Sequence, residues 1–600
     1  ENVLPDHCIK HSLEIEGKGN LGLLGVVKKS LLPNVPTKTT IAPSRLHGLI
    51  GEIQTEPSVL STWDKRLGER RGFFDPVLEA DKKYGSEIVP FNPEEVREVE
   101  KHLSQVFKRR ENSLKKREVN DLEIGINGID QSDFWVPIEM KTSSGYPHCL
   151  RKPSGATGKA WLFEEVGNYP SGRPKWEMKD PDFIQSYNKM EKDIVNGVKP
   201  NIITMACPKD ERRKLSKIYD NVSTRTFTIL PPEINILFRQ YFGDFAAMVM
   251  TNRFDMFSQV GINPESMEWS EMMNDFLKVS NKGFAGDYAK FDGIGPSQIY
   301  MSIAEVVNNW YDDGEVNARA RRALVSSIVH RDGLVGECLF RYSQGMPSGF
   351  AMTVIFNSFV NYYFMALAWM HNISLSPLSP QSDLKSFDIY TKLVVYGDDN
   401  VVAVDDNFLE YYNLQTVACY LSEHGISYTD DAKNAIHLSE PFVDITTVTF
   451  LKRSFQKVVN NSMLWKAPLA KVSIEERCNW IRECETPDEA MMQNVESALY
   501  EAHIHGVEYF NDLKERVDNG LERVMLPLSE TTYEECNKRW WANMTGNVFD
   551  QPTLSKLVDL QKRNRISPYT TYYNLHDNKV VNLQEALATA KKSRLAYFEV

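Results

Sequence analysis

The sequence predicts an α+β fold assembled from more than one unit, and three observations carry that prediction. Six hundred residues exceed what a single hydrophobic core organises. Between residues 230 and 460, strand-like β-branched runs alternate with helices, and apolar density rises. From about residue 465 onward helical periodicity dominates, as in Ile474 to Glu485 and Pro487 to His503. A composition of 42% hydrophobic and 25% charged residues is that of an ordinary globular protein.

In chain order, residues 1 to 50 are rich in Gly, Pro and Thr and read as a strap rather than a core. Pro57 to Asn201 alternates helical and loop signals, with a charged helix from Pro93 to Lys116. Gly283-Phe284-Ala285 reads as a strand and Pro296 opens a helical run. The longest apolar stretch, Val354 to Met370, is broken by Asn357, Ser358 and Asn361, and it falls short of the ~18 nearly uncharged apolar residues a membrane span needs. Lys392-Leu393-Val394-Val395 and Asn400-Val401-Val402-Ala403-Val404 flank Tyr396-Gly397-Asp398-Asp399. Two β-branched runs around such a turn predict a hairpin carrying two carboxylates.

A net charge of −12 argues mildly against a nucleic-acid binder, but a local positive field overrides the global sum. Two windows are locally basic: Lys108-Arg109-Arg110 with Lys115-Lys116-Arg117, and Lys209 to Arg225. In the second, Lys209, Arg212, Arg213, Lys214, Lys217 and Arg225 outweigh Asp210, Glu211 and Asp220. The eight cysteines include no Cys-x2-Cys pair, which argues against a zinc site or disulfide framework and fits a reducing compartment.

Adjacent carboxylates on a tight turn repel unless something cationic sits there. Oxygen-only ligands on such a turn favour Mg or Mn over Zn. A second acidic site, Asp287 with Asp292, places one carboxylate at a strand end and one at the turn into a helix. Asp287 and Asp398 are thereby able to share two cations about 3.5–4 Å apart, the arrangement used in phosphoryl transfer. Gly345-Met346-Pro347-Ser348-Gly349 specifies a tight loop that lets backbone approach a ligand. Thr353, Asn357 and Asn361 follow at i, i+4 and i+8, a polar stripe suited either to packing between helices or to a sugar hydroxyl. Lys and Arg between 209 and 225 suit a triphosphate or an RNA backbone. Lys433 is a candidate proton donor to departing pyrophosphate, and Lys452-Arg453 a candidate phosphate grip.

In order, the chain shows Thr142-Ser143-Ser144-Gly145-Tyr146-Pro147, Lys209-Asp210-Glu211 with Arg225, Asp287-x4-Asp292, Gly345-Met346-Pro347-Ser348-Gly349-x3-Thr353-x3-Asn357, Tyr396-Gly397-Asp398-Asp399, Lys433 and Phe450-Leu451-Lys452-Arg453. Over residues 140 to 455 this resembles the RNA-dependent RNA polymerases of picorna-like positive-strand RNA viruses. The resemblance implies a right hand with closed fingertips, an antiparallel palm sheet flanked by helices, and a mainly helical thumb. It divides the chain into a strap at 1–50, fingers at 51–230, palm at 231–297, a fingers insertion at 298–343, palm again at 344–458, and a thumb with C-terminal extension at 459–600.

The same resemblance implies template-directed RNA synthesis with two Mg ions, for which Mn can substitute. Asp287, Asp398 and Asp399 would ligate them with the backbone carbonyl of Tyr288, and Lys433 would be catalytic. Lys209, Arg213, Lys217, Arg225, Asp292, Ser348, Gly349, Thr353 and Asn357 would bind the NTP, with the 2′-hydroxyl read by Asp292, Ser348 and Asn357. Thr142 and Ser143 would flank template entry, while Lys452 and Arg453 grip the product. Implied partners are an RNA template and primer, NTPs, a small viral protein as primer and other replication proteins. The implied setting is host cytoplasm, at membrane-associated replication complexes, after release from a viral polyprotein. The picornaviral enzymes begin with a glycine whose amino group is buried; this chain begins Glu1-Asn2-Val3, so that device does not carry over. Extra length at both ends points to a dicistrovirus or iflavirus type. A reverse transcriptase would lack the Gly-Met-Pro-Ser-Gly loop with Thr353 and Asn357. A non-catalytic RNA-binding module has no need of Asp287, Asp398 and Lys433 together.

Overall fold

The computed structural model describes residues 21–108, 110, 118–431, 439–458, 463–545, 571–574 and 579–582. Its centre is an antiparallel sheet in which Thr391–Tyr396 pairs with Asp399–Val404, and that strand with Lys282–Tyr288. Tyr428–Asp430 and Val443–Asp444 pair with the two ends of the far edge of Lys282–Tyr288. The predicted hairpin is present: Tyr396 faces Asp399 across a two-residue loop. Gly397 opens that loop at φ 63°, a left-handed conformation that glycine accepts without a steric penalty.

Gly286 has a different reason to be glycine. A Cβ there would lie 1.9 Å from Cζ of Tyr428, whose ring is held by a 2.7 Å hydrogen bond from its hydroxyl to Asn400 Oδ1. Gly286→Ala is therefore expected to cost about 2 kcal/mol or more, as overpacking does in a tight core, and a lowered urea midpoint with unchanged slope would show it.

The helix Thr353–Ser374 lies against this sheet, and every residue from Ile355 to Met370 is buried. A helix apolar on all sides belongs to the interior, so its few polar side chains must find partners there. A second, mixed sheet runs Leu21–Val26, Cys338–Tyr342, Asp332–Val335, Ile203–Pro208 and Thr226–Ile229. The 332–342 hairpin thus joins strands from much earlier in the chain.

Toward the C-terminus, the helices Lys471–Asn479, Pro487–Ile504 and Val507–Arg523 share a separate core containing Ile474, Val495, Leu499, Leu513 and Val517. Leu46 and Ile50 of the strap are buried in that core. The helix expected from Ile474 to Glu485 stops at Asn479; Trp480–Arg482 is extended and pairs with Ile41–Pro43. Nearby, Asp210 accepts from Thr39 Oγ1, the Thr40 backbone N–H and Arg482, joining strap, basic window and the Trp480–Arg482 strand. The charged helix starting at Pro93 also ends early, at Phe107, because its buried stripe Val96, Val99, Leu103, Phe107 ends there. Among the described residues no helix is long and apolar enough to cross a membrane.

Candidate active site

Antiparallel register brings the acidic residues together. Asn400 pairs with Gly286, so Asp399 and Asp287, one step further along their strands, lie at the same end of the sheet as the Asp398 turn. Asp398 is reached by water, yet its carboxyl is pushed above the ordinary range by desolvation among its neighbours, with Asp292 and Asp287 adding repulsion and Arg225 opposing it. Asp399 is pushed up to about 6 by burial, then by Asp398 and Asp287, against a hydrogen bond from the Leu451 backbone and the charge of Lys452.

A polar spine holds the turn. Asn361 Nδ2 donates to the carbonyls of Gly397 at 3.0 Å and Asp398 at 3.1 Å, and more distantly to that of Asp399. Its Oδ1 accepts from the Tyr288 hydroxyl and from Asn400 Nδ2, both at 3.1 Å. Ser358 Oγ accepts the Gly397 N–H at 2.9 Å. The stripe seen in the sequence therefore has divided duties. Asn361 braces the turn, and Thr353 donates its hydroxyl to Phe350 O at 2.6 Å, closing the preceding loop.

Asn357 does something else. Its Nδ2 donates to Asp292 Oδ1 at 3.0 Å, while its buried Oδ1 has no partner among the described residues. A buried acceptor left unpaired is costly, and a hydroxyl-bearing ligand would satisfy it. Ser348 Oγ accepts the Thr228 N–H at 3.2 Å, which seats the loop on the Thr226–Ile229 strand. Gly349 is exposed, and a Cβ there would come 2.0 Å from Thr228 O.

The second basic window gathers around one carboxylate. Glu211 lies 3.2 Å from Lys209, 3.5 Å from Arg225 and 3.9 Å from Arg213. Arg225 is exposed and close enough to act electrostatically on Asp398. Lys217 stands exposed on a single helical turn. Arg212 is turned away, donating to the Glu476 carbonyl among the C-terminal helices.

The remaining predicted residues divide. Thr142 accepts from Lys159 Nζ at 2.6 Å, and burial pushes that lysine down to about 8. Ser143 Oγ accepts the Gly145 N–H and shapes its own loop. Leu451 and Lys452 both have positive φ, 54° and 62°, in a tight turn closed by reciprocal bonds between Phe450 and Arg453. That strained geometry leaves Lys452 exposed beside Asp399. Arg453 is corrected by the structure: its guanidinium is largely buried, bonded to both oxygens of Glu501 at 2.9 and 2.7 Å. It ties the turn to the Pro487–Ile504 helix and cannot also grip a product strand. Lys433 lies outside the described residues.

The donor set suits a hard divalent cation, since it offers carboxylate oxygens whose mutual repulsion a cation would relieve. Among the described residues no three acidic, His or Cys side chains converge closely enough to hold an ion alone. Magnesium is ordinarily held by one or two carboxylates plus substrate phosphates, so the remaining oxygens would arrive with the nucleotide.

Carboxylates gathered at one edge of an antiparallel sheet, within a mixed α+β chain, agree with a right-hand polymerase fold. The same fold is found in the solved structure of a Sicinivirus 3Dpol RNA dependent RNA polymerase, with a TM-score of 0.70 and 22% identity, covering 87% of this chain and 99% of that one. The family model for viral RNA-dependent RNA polymerase matches residues 48–519, and the chain belongs to that family. It is 60% identical over all 600 residues to the genome polyprotein of rice tungro spherical virus strain Vt6, spanning 17% of that polyprotein. RNA1 polyproteins of cherry rasp leaf virus and tomato torrado virus are 33% and 32% identical over 83% and 88% of this chain, which spans 22% and 24% of them. These plant-virus relatives correct the dicistrovirus or iflavirus type expected from chain length.

Proposed function

We propose that the chain carries out template-directed RNA synthesis, moving a nucleotide from an NTP to an RNA 3′-hydroxyl with release of pyrophosphate, in the replication of a positive-strand RNA genome. The observation that carries this reading is the placement of the Asp292–Asn357 pair beside Asp287, Asp398 and Asp399. It sets a hydroxyl-seeking acceptor next to a site for phosphoryl transfer. Asp287, Asp398 and Asp399, with the Tyr288 carbonyl, would hold two Mg ions (or Mn), which supply positive charge to the attacking and leaving oxygens.

Arg225, with Lys209 and Arg213 anchored through Glu211, would orient the triphosphate, and Lys217 would extend that field. Ser348, Gly349 and Thr353 set the loop over which the ribose lies. Lys452 would meet the product strand, Thr142 and Ser143 would flank the entering template, and Lys433 is the proposed proton donor to pyrophosphate. The division into strap, fingers, palm, insertion and thumb at residues 50, 230, 297, 343 and 458 fits two sheets and a separate helical core. Closed fingertips fit the pairing of Ile41–Pro43 with Trp480–Arg482. The polyprotein relatives favour release from a precursor, with RNA, a protein primer and other replication proteins as partners at membrane-associated complexes in the host cytoplasm.

Purified protein given poly(A), oligo(U), UTP and Mn should extend the primer; folded protein that never does so would contradict the reading. Asn357→Ala is expected to lower the preference for UTP over dUTP about tenfold, the worth of one hydrogen bond to the sugar, with little change in melting temperature. An unchanged preference would return Asn357 to a packing role.

A further inference from the structure

Residues 81–86 form a buckle between the two loops of the site. Tyr84 donates its hydroxyl to Met346 O at 3.2 Å. Gln344 Nε2 donates to both Ser86 O and Gly293 O, at 2.8 and 2.9 Å. A Cβ on Gly293 would lie 2.5 Å from Lys83 O, and one on Gly345 would lie 2.7 Å from the Tyr84 ring. The Asp292 turn and the 344–346 loop are thus both pressed against one short segment.

From that segment Lys83 sends a largely buried side chain to within 3.7 Å of Asp292 Oδ2. The other oxygen, Oδ1, accepts from Asn357. Asp81 also attracts the ammonium and Arg225 repels it, while Asp81 itself accepts a 2.6 Å bond from Tyr342. Burial alone would push Lys83 down, but Tyr84, Asp292 and Asp81 leave it raised, so the cation persists.

The chemistry of the relay is directional. An ionised carboxylate only accepts hydrogen bonds, whereas a protonated one also donates. With the Lys83 ammonium beside Oδ2, Oδ1 is the oxygen turned to Asn357, whose NH₂ donates to it; this leaves the Asn357 carbonyl oxygen as the ligand-facing atom. We propose that Lys83 is a positioning residue for sugar selection: by holding Oδ2 of Asp292 it keeps Oδ1 turned to the Asn357 amide, so that the Asn357 carbonyl faces the nucleotide and the site demands a hydroxyl donor on the ribose. This rests on the polymerase reading above, and no sequence motif of the site includes Lys83.

The test compares UTP and dUTP in single-nucleotide addition to a poly(A)-templated oligo(U) primer, using the full chain. Wild-type extension comes first; its failure would remove the polymerase reading itself, and this proposal with it. Given extension, Lys83→Met is expected to lower kcat/KM for UTP about tenfold, one hydroxyl bond's worth, while dUTP addition stays within about twofold. Lys83→Arg, which keeps the charge, should restore the preference. A buckle serving only as packing would lower both nucleotides alike, and that result, or an unchanged preference, would overturn the proposal. Should Lys83→Met alone not fold, Lys83→Met with Asp292→Asn removes both buried charges. Its sugar preference should equal that of Asp292→Asn alone, and a further fall would overturn the proposal.

Discussion

Asp398→Asn is expected to lower nucleotide addition by roughly a thousandfold or more, the scale on which loss of a transition-state charge stabiliser acts. The replacement is isosteric, and the backbone carbonyls of Gly397 and Asp398 keep their bonds from Asn361, so the turn retains its shape. Its fold should be no less stable than wild type. In the metal-free chain the Asp398 carboxyl is raised by burial and by Asp292 and Asp287. The charged form is therefore disfavoured in the folded state, and a neutral side chain relieves that. RNA binding should survive, because phosphate contacts by basic residues supply most non-specific affinity. Single-turnover addition, melting temperature and filter binding separate these effects; retained activity would mean that Asp398 does not serve the reaction.

Asn361→Leu is expected to show the second-largest effect, and to show it in both stability and rate. Leucine fills a similar volume but leaves the carbonyls of Gly397 and Asp398, the Tyr288 hydroxyl and the Asn400 amide without their partner. Each unpaired buried group costs about 1–3 kcal/mol, and the spine couples them. The turn would then wander relative to Asp287. A displacement of about 1 Å is enough to cost about a hundredfold in rate. The expected signature is a fall in kcat with KM for UTP nearly unchanged, together with a lowered denaturation midpoint. If only stability fell, the brace would be packing alone.

How much was legible in the sequence depended on the range of the interactions. The Gly397-Asp398 hairpin was readable because β-branched runs and a turn-forming pair lie side by side, and the structure pairs Thr391–Tyr396 with Asp399–Val404. Asp287 at a strand end and Asp292 at the following turn were readable for the same local reason. Arg453 was misread because its partner Glu501 lies on a helix of another unit; nothing in Lys452-Arg453 distinguishes a buried cation from an exposed one. Helical periodicity carried past Asn479 in the sequence, but pairing with Ile41–Pro43 wins in the fold. Lys83 carried no signal and Ser358 only marked a break in an apolar run, since their roles exist only once residues distant in sequence meet at Asp292 and Gly397. Asn361 was visible as a stripe, but its task became clear only with the turn it braces.

The central claim is that the Asp287–Asp398–Asp399 edge and the Asp292–Asn357 pair form one ribonucleotide-selecting site. The most direct measurement is the rate of a single nucleotide addition by the wild-type chain opposite one template adenine, with UTP or dUTP, and with Mn present or chelated. The account predicts metal-dependent addition of UTP at least about a hundredfold faster than dUTP, the discrimination available to a site built to bond a hydroxyl. Equal rates for the two nucleotides, or addition that persists after chelation, would contradict it.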